Sequence, residues 1–248
     1  MALFASIDQG NTATKLTLWL DHEPQCCHVA RNASTGALAD VLAGCGRLDG
    51  AIYSSVSGRN EALWQALLAA CPGAVELNRS TPLPIELHYA TPATLGLDRI
   101  AAAAGAVARY PGCRCLVVDV GTAVTYDLAG PDAAFHGGNI APGAGLRLRA
   151  LHDFTAALPE VTVDGGEDRG AALPLWGTDT VSAMRCGALR GIAGEISYYR
   201  SLLPGDTTVI LTGGRADDIA GLLDFPATVD HDLVGRGLIS ILEHNIYS

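Results

Sequence analysis

Four short stretches carry residue types suited to phosphate chemistry. The first follows an apolar run over residues 3–7: Asp8, then Gln9, Gly10, Asn11, Thr12, Ala13, Thr14 and Lys15. The second repeats that grammar, with Leu116, Val117 and Val118 leading to Asp119, then Gly121, Thr122 and Thr125. A glycine turn at a strand end exposes backbone N–H groups, and Asn and Thr add side-chain donors of the kind a phosphate needs. An acid at each strand end suits a cation or a cation-bound water. Lys15 faces either a phosphate or solvent. The first loop is not a P-loop, because GxxxxGK is absent. The third stretch is Gly96-Leu97-Asp98-Arg99, at or just before a helix start. Asp98 has two readings there. It is a helix N-cap worth about 1 kcal/mol, or a general base with Arg99 binding a carboxylate or phosphate; both roles can coexist near a helix terminus. The fourth contains Gly137, Gly138, Pro142, Gly143 and Gly145, expected as a tight loop whose amides approach phosphates, before a helix over 146–157. Arg147 and Arg149 are expected to point to solvent.

Stepping outward, hydrophobic patterning supplies the elements that hold these stretches. Residues 3–20 read as two strands joined by DQGNTATK, and 116–127 as a strand, a tight turn and a second strand. Residues 21–34 are irregular or a strand, with Pro24 a poor central-strand residue. A helix over 35–42, a strand over 51–56 and a helix after Asn60 follow, Asn60 being the expected cap. The Pro- and Thr-rich segment 81–99 reads as a substrate loop, feeding a helix that Pro111 and Gly112 end. Residues 159–176 read as loop, with Gly165 and Gly166 in the middle. Thr180 is the expected N-cap of a helix over 181–199, in which Gly187, Gly191 and Gly194 permit close packing, to a partner subunit among other neighbours. A strand over 209–211 ends in the turn Thr212-Gly213-Gly214. Helices over 216–223 and 234–243 close the chain. Two similar strand–turn–strand units suggest a duplicated domain with a nucleotide between its halves.

The 248 residues permit one large domain or two of about 120. A hydrophobic share of 49% is enough for a substantial core in either arrangement. A net charge of −10 disfavours nonspecific nucleic-acid binding, which needs a basic surface. No apolar run reaches membrane-spanning length, and the opening residues have no basic region, so a cytoplasmic protein without membrane attachment is expected. The odd count of seven cysteines argues against a disulfide framework. His22, Cys26 and Cys27 are close in sequence, as are Cys113 and Cys115, but thiols without a metal are the expectation there.

The four motifs DQGNTATK, GLDR, VVDVGTAVTYD and GGNIAPG occur in the order found in the type III pantothenate kinases, which the chain resembles over essentially its whole length. GLDR at this spacing is the most specific of them. That family belongs to the superfamily of actin, Hsp70 and sugar kinases. The resemblance implies an α/β fold of duplicated ribonuclease H-like (actin-like ATPase) domains with the nucleotide cleft between them. The halves are expected at 1–114 and 115–248. The implied activity is ATP-dependent phosphorylation of pantothenate to 4′-phosphopantothenate, the first step of coenzyme A biosynthesis. By the same resemblance Asp98 is the catalytic base. Residues Asp8, Gln9, Gly10, Asn11, Thr12, Ala13, Thr14, Lys15 and Thr122 contact ATP. Tyr89, Gly96, Leu97, Asp98, Arg99 and Thr180 bind pantothenate, Thr180 across a homodimer interface, and Asp119 binds the monovalent cation, K⁺ or NH₄⁺. Mg²⁺ accompanies ATP. Leu97 stands where the family usually has a smaller or polar residue. The alternatives are a kinase of the same superfamily with another small hydroxyl acceptor, and a non-catalytic transcriptional regulator built on this fold.

Overall fold

A computed structural model describes residues 2–164 and 173–247. Gly165 and Gly166 lie outside the described residues. The chain divides into two compact units. One comprises residues 1–115, 127–137 and 232–248, the other residues 116–126 and 138–231.

The first unit is built on a five-stranded sheet. β1 (Leu3–Gln9) pairs antiparallel with β2 (Ala13–Leu20), with Asp8 opposite Lys15. β2 pairs with β3 (Glu23–Arg31), and β1 runs parallel to β4 (Gly50–Ser55), which pairs with the short β5 (Val75–Glu76). The strand order is β3-β2-β1-β4-β5. Residues 23–31 are therefore a strand, and Pro24 is tolerated because β3 is an edge strand, where a missing N–H costs least.

β1 is buried on both faces, which explains its nearly unbroken apolar run. Ala5 and Ile7 pack with Leu38 and Leu42 of α1 (Gly36–Gly44) and with Leu63 and Leu67 of α2 (Glu61–Ala70). Asn60 caps α2 as expected, accepting the Leu63 N–H at 3.1 Å. On the opposite face, Ser6 accepts a hydrogen bond from the Trp19 indole at 2.9 Å. Beside them packs α7 (Leu233–Ile246): a Cβ at Gly235 would meet the Trp19 ring at 2.7 Å.

α7 also crosses α3 (Leu97–Arg109) at backbone contact. A Cβ on Gly237 would lie 1.7 Å from the Ala101 carbonyl oxygen, and one on Gly105 would lie 2.2 Å from that of Leu233. The run of alanines at 101–104 completes this close crossing. Glycine is required by space here, not by dihedral angle.

The second sheet has the order β11-β10-β7-β8-β9-β6. Its strands are β6 (Glu86–Leu87), β7 (Cys115–Val120), β8 (Ala123–Ala129), β9 (Ala134–Pro142), β10 (Thr208–Thr212) and β11 (Thr228–Val229). In the second unit Val118, Val120, Val124 and Tyr126 form a core with Leu148 of α4 (Ala144–Asp153), Ile192 and Ile196 of α5 (Thr180–Ser201), and Ile219 of α6 (Ala216–Ala220). The glycine-rich stretch 137–142 differs from expectation. It is not a loop but the second half of β9, and only Gly143 separates it from α4. Gly137, at φ +93°, takes up an irregularity within that strand. No described helix is long and apolar enough to cross a membrane.

Candidate active site

The first turn is built by the chain on either side of it. The Gly10 N–H reaches the Ala13 carbonyl at 3.0 Å and closes the β1–β2 hairpin, leaving Asn11 and Thr12 exposed at its tip. Asn32, just beyond β3, then holds the turn from behind. Its amide donates to the Gly10 carbonyl at 2.8 Å, its Oδ1 accepts from Thr14 Oγ1 at 2.8 Å, and its backbone N–H meets the Thr12 carbonyl at 3.2 Å. Its structural role depends on β3 folding back alongside β2.

Three residues expected at ATP have their side chains used otherwise. Thr14 is fully buried and spends its hydroxyl on Asn32. The Gln9 amide donates to Ser57 Oγ at 3.0 Å and to the Gly58 carbonyl at 2.7 Å, and accepts from the Tyr53 hydroxyl. Gln9 thus pins the loop after β4 and offers the turn its backbone alone. Lys15 Nζ lies 3.0 Å from Asp232, at the start of α7. What remains at the end of β1 is the half-buried Asp8, the glycine turn, and the donors of Asn11 and Thr12.

Gly96-Leu97-Asp98-Arg99 opens α3. The N-cap position is Gly96, not Asp98, and Asp98 lies in the first turn with Oδ1 accepting the Arg99 backbone N–H at 2.9 Å. A Cβ on Gly96 would lie 2.3 Å from Asp98 Oδ1, so this glycine leaves the space the carboxylate occupies. The carboxylate therefore stands at a helix N-terminus, where the dipole and unpaired N–H groups favour negative charge.

Arg99, expected to bind a carboxylate or phosphate, has a carboxylate partner within the chain. Its side chain is 5% exposed, and Asp127, fully buried on β8, accepts from Nε at 3.0 Å and from Nη2. The guanidinium carbon lies 5.9 Å from the Tyr89 ring centroid and 5.4 Å from that of Phe135, whose rings pack edge to face. The structure does bring Tyr89 and Arg99 together. Sequence reading missed Asp127, which looked like the polar end of a strand.

The second unit repeats the turn. The Gly121 N–H reaches the Ala123 carbonyl at 3.0 Å, and Thr122 is exposed. Two further glycines press against it. A Cβ on Gly143 would lie 2.3 Å from the Gly121 carbonyl oxygen, and one on Gly213, at φ +88°, would lie 2.4 Å from Asp119 Oδ1. Asp119 is half-buried at the end of β7, with the Gly213 backbone alongside. The turn Thr212-Gly213-Gly214 thus lies against the end of β7.

Arg147 is not a solvent residue. It donates to Glu195 at 2.6 and 2.8 Å and to the Pro142 carbonyl at 2.7 Å, and Tyr126 donates to the same Glu195. Burial, and then that hydrogen bond, raise the Tyr126 phenol well above its ordinary range. Thr180 is the exposed first residue of α5, and the cap is Asp179, whose carboxylate accepts the Ser182 N–H at 3.0 Å.

In chemical terms, each unit carries an acid at a strand end beside a donor-rich turn, and the first adds a carboxylate at a helix N-terminus. That set can bind phosphates and accept a proton. The model of the family "Type III pantothenate kinase" matches residues 5–201. A protein of that name from Porphyromonas gingivalis strain W83 is 37% identical over 244 residues, covering 97% of this chain and 98% of its own. One from Cytophaga hutchinsonii is 40% identical over 175 residues, covering 68% and 71%. Among solved structures, the activator of the 2-hydroxyisocaproyl-CoA dehydratase from Clostridium difficile with bound ADPNP has a TM-score of 0.54 at 12% identity, covering 98% of this chain and 93% of that one. A Campylobacter jejuni protein described as of the Baf family of transcriptional activators has a TM-score of 0.62 at 22% identity, covering 98% and 100%. These likenesses show the fold: the duplicated α/β architecture of actin-like ATPases and sugar kinases.

Proposed function

The chain belongs to the type III pantothenate kinase family and phosphorylates pantothenate with ATP in coenzyme A biosynthesis, and we propose that Asp98 is the general base of that transfer. The observation that supports this role is the carboxylate at the N-terminus of α3, given its space by Gly96. As the primary hydroxyl oxygen of pantothenate forms its bond to the γ-phosphorus, the bond to the β,γ-bridging oxygen breaks and ADP departs with that electron pair. Asp98 takes the hydroxyl proton. Tyr89, Gly96 and Leu97 line the pantothenate site, and Arg99 supplies a positive charge held in place by Asp127. Thr180 contributes from α5 of a partner subunit.

The first turn, from Asp8 to Lys15, and Thr122 hold the ATP phosphates, chiefly through backbone N–H groups and the hydroxyls of Thr12 and Thr122. Asp8 would hold Mg²⁺, directly or through water, and Mg²⁺ supplies charge neutralisation at the transferring oxygens. Asp119 would hold the monovalent cation. Gly213 leaves room beside Oδ1, which a side chain there would meet at 2.4 Å.

The test is direct. With folded protein, Mg²⁺ and K⁺, mass detection should find 4′-phosphopantothenate, and its absence would reject the activity. In the same assay, titrating KCl at constant ionic strength, Asp119→Asn should weaken potassium activation while the melting temperature holds. An unchanged potassium profile would remove Asp119 from the cation site.

We further propose a homodimer through α5. Gly187 and Gly194 face open space and Tyr198 is 61% exposed, so this face of a long helix has no neighbour within its own described chain to match its small residues. Sedimentation at micromolar concentration should give twice the chain mass. A fully active monomer would refute both the dimer and the cross-subunit role of Thr180.

A further inference from the structure

At the paired ends of β6 and β9, two imidazoles and a carboxylate converge that the kinase chemistry does not use. β6 runs parallel to β9 with Leu87 opposite Phe135, and the His88 N–H continues the ladder to the Phe135 carbonyl at 2.9 Å. That register sets His88 beside His136, with ring centroids 4.8 Å apart. Asp132 sits in the turn before β9, closed by the Gly130 N–H on the Ala134 carbonyl at 2.8 Å. Its two carboxylate oxygens lie 2.9 and 3.0 Å from His136 Nε2. One ligating atom from each of His88, Asp132 and His136 lies within 4.8 Å of the others. Glu86 adds a second carboxylate, 3.2 Å from His88 Nε2.

We propose that His88, Asp132 and His136 form a binding site for a divalent transition-metal ion of the zinc type, with Glu86 as fourth ligand. Two imidazoles with carboxylates are a donor set for zinc and its neighbours, whereas Mg²⁺ and Ca²⁺ take oxygen. Ligand atoms about tetrahedral zinc lie roughly 3.3 Å apart, given bonds of about 2.0–2.1 Å. His88, Asp132 and His136 must therefore close by up to about 1.5 Å. Their side chains have that freedom, being 48% exposed at His88, 32% at His136 and 49% at Asp132.

The backbone beside this group is a glycine, Gly130. A Cβ on Gly130 would lie 2.2 Å from Asp132 Oδ1 and 2.4 Å from His136 Nε2. Glycine at this position leaves room for the carboxylate and imidazole to meet.

The experiment uses tag-free protein in which the three exposed thiols are removed, Cys26→Ser, Cys27→Ser and Cys113→Ser, because thiols compete for such ions. Calorimetric titration with Zn²⁺ should show one saturable site per chain, and Co²⁺ should give visible ligand-field absorption without a thiolate charge-transfer band. His136→Gln, and separately the exposed His88→Gln, should each abolish the Co²⁺ spectrum. Gly130→Ala keeps every ligand but fills their space, and should weaken Zn²⁺ binding by about 10–100-fold. Absence of saturable Zn²⁺ binding, a thiolate band, or undiminished binding in both histidine variants would overturn the site.

Discussion

Asp98→Asn is expected to lose about 10²–10⁴-fold in kcat, the range a general base contributes. Asparagine preserves size and hydrogen bonding. Its Oδ1 still accepts the Arg99 N–H, at 2.9 Å in the native chain, and still fits above Gly96. What it cannot do is take the hydroxyl proton. The structural cost is small, because Asp98 is not the N-cap of α3 and the loss is confined to a charge near a helix N-terminus, worth about 0.3–1 kcal/mol. For a chain of this size that moves the melting temperature by roughly 2–4 °C per kcal/mol. The two roles of Asp98 thus separate in one experiment: kcat at saturating pantothenate, ATP and potassium, beside the melting temperature. Gly96→Ala is the companion variant, since its Cβ would displace the carboxylate while leaving its charge. Turnover of Asp98→Asn within about threefold of the native enzyme would leave Asp98 a helix-terminus residue, with Asp8 the next base to test.

Asp127→Ala should be the most destabilising single change near the site. It leaves the Arg99 guanidinium 5% exposed without its carboxylate, and breaking a buried pair from one side costs about 3–5 kcal/mol. The rings of Tyr89 and Phe135 remain against the cation but offset only part of that loss, since such contacts are worth about 0.5–2 kcal/mol. Asp127→Asn keeps an acceptor and should fall between. Urea unfolding of the three proteins measures the series. If alanine fails to fold, the asparagine variant alone carries the test, with a loss of at least about 1 kcal/mol expected for a hydrogen bond to a charged group. A midpoint unchanged in both variants would show that the pair contributes nothing, and that Arg99 is held by the rings. Because Arg99 follows Asp98 directly, pantothenate KM should rise in Asp127→Asn more than kcat falls.

The hairpins around Gly10 and Gly121, the cap at Asn60 and the alanine-rich α3 were legible in the sequence because each depends on neighbours a few residues away. Apolar runs, a glycine after an acid and a capping asparagine act locally, so spacing alone reveals them. The family, too, was legible, since four ordered motifs span the chain. Local chemistry misled where packing decided. The glycines at 137 and 138 read as a loop, yet the backbone there is strand β9, because sheet pairing overrides the low strand preference of glycine. Thr180, and Asp98 in one of its two readings, read as caps, yet the cap positions fall elsewhere: at Gly96, where a Cβ would meet the Asp98 carboxylate, and at Asp179. The tertiary structure alone decided the partners of the polar side chains. Arg99 meets Asp127, 28 residues on, and Lys15 meets Asp232, 217 residues on. A charged group does not encode its partner locally. Burial forces it to find one, and which carboxylate is within reach is set by the strand order and by helices crossing at Gly105 and Gly237.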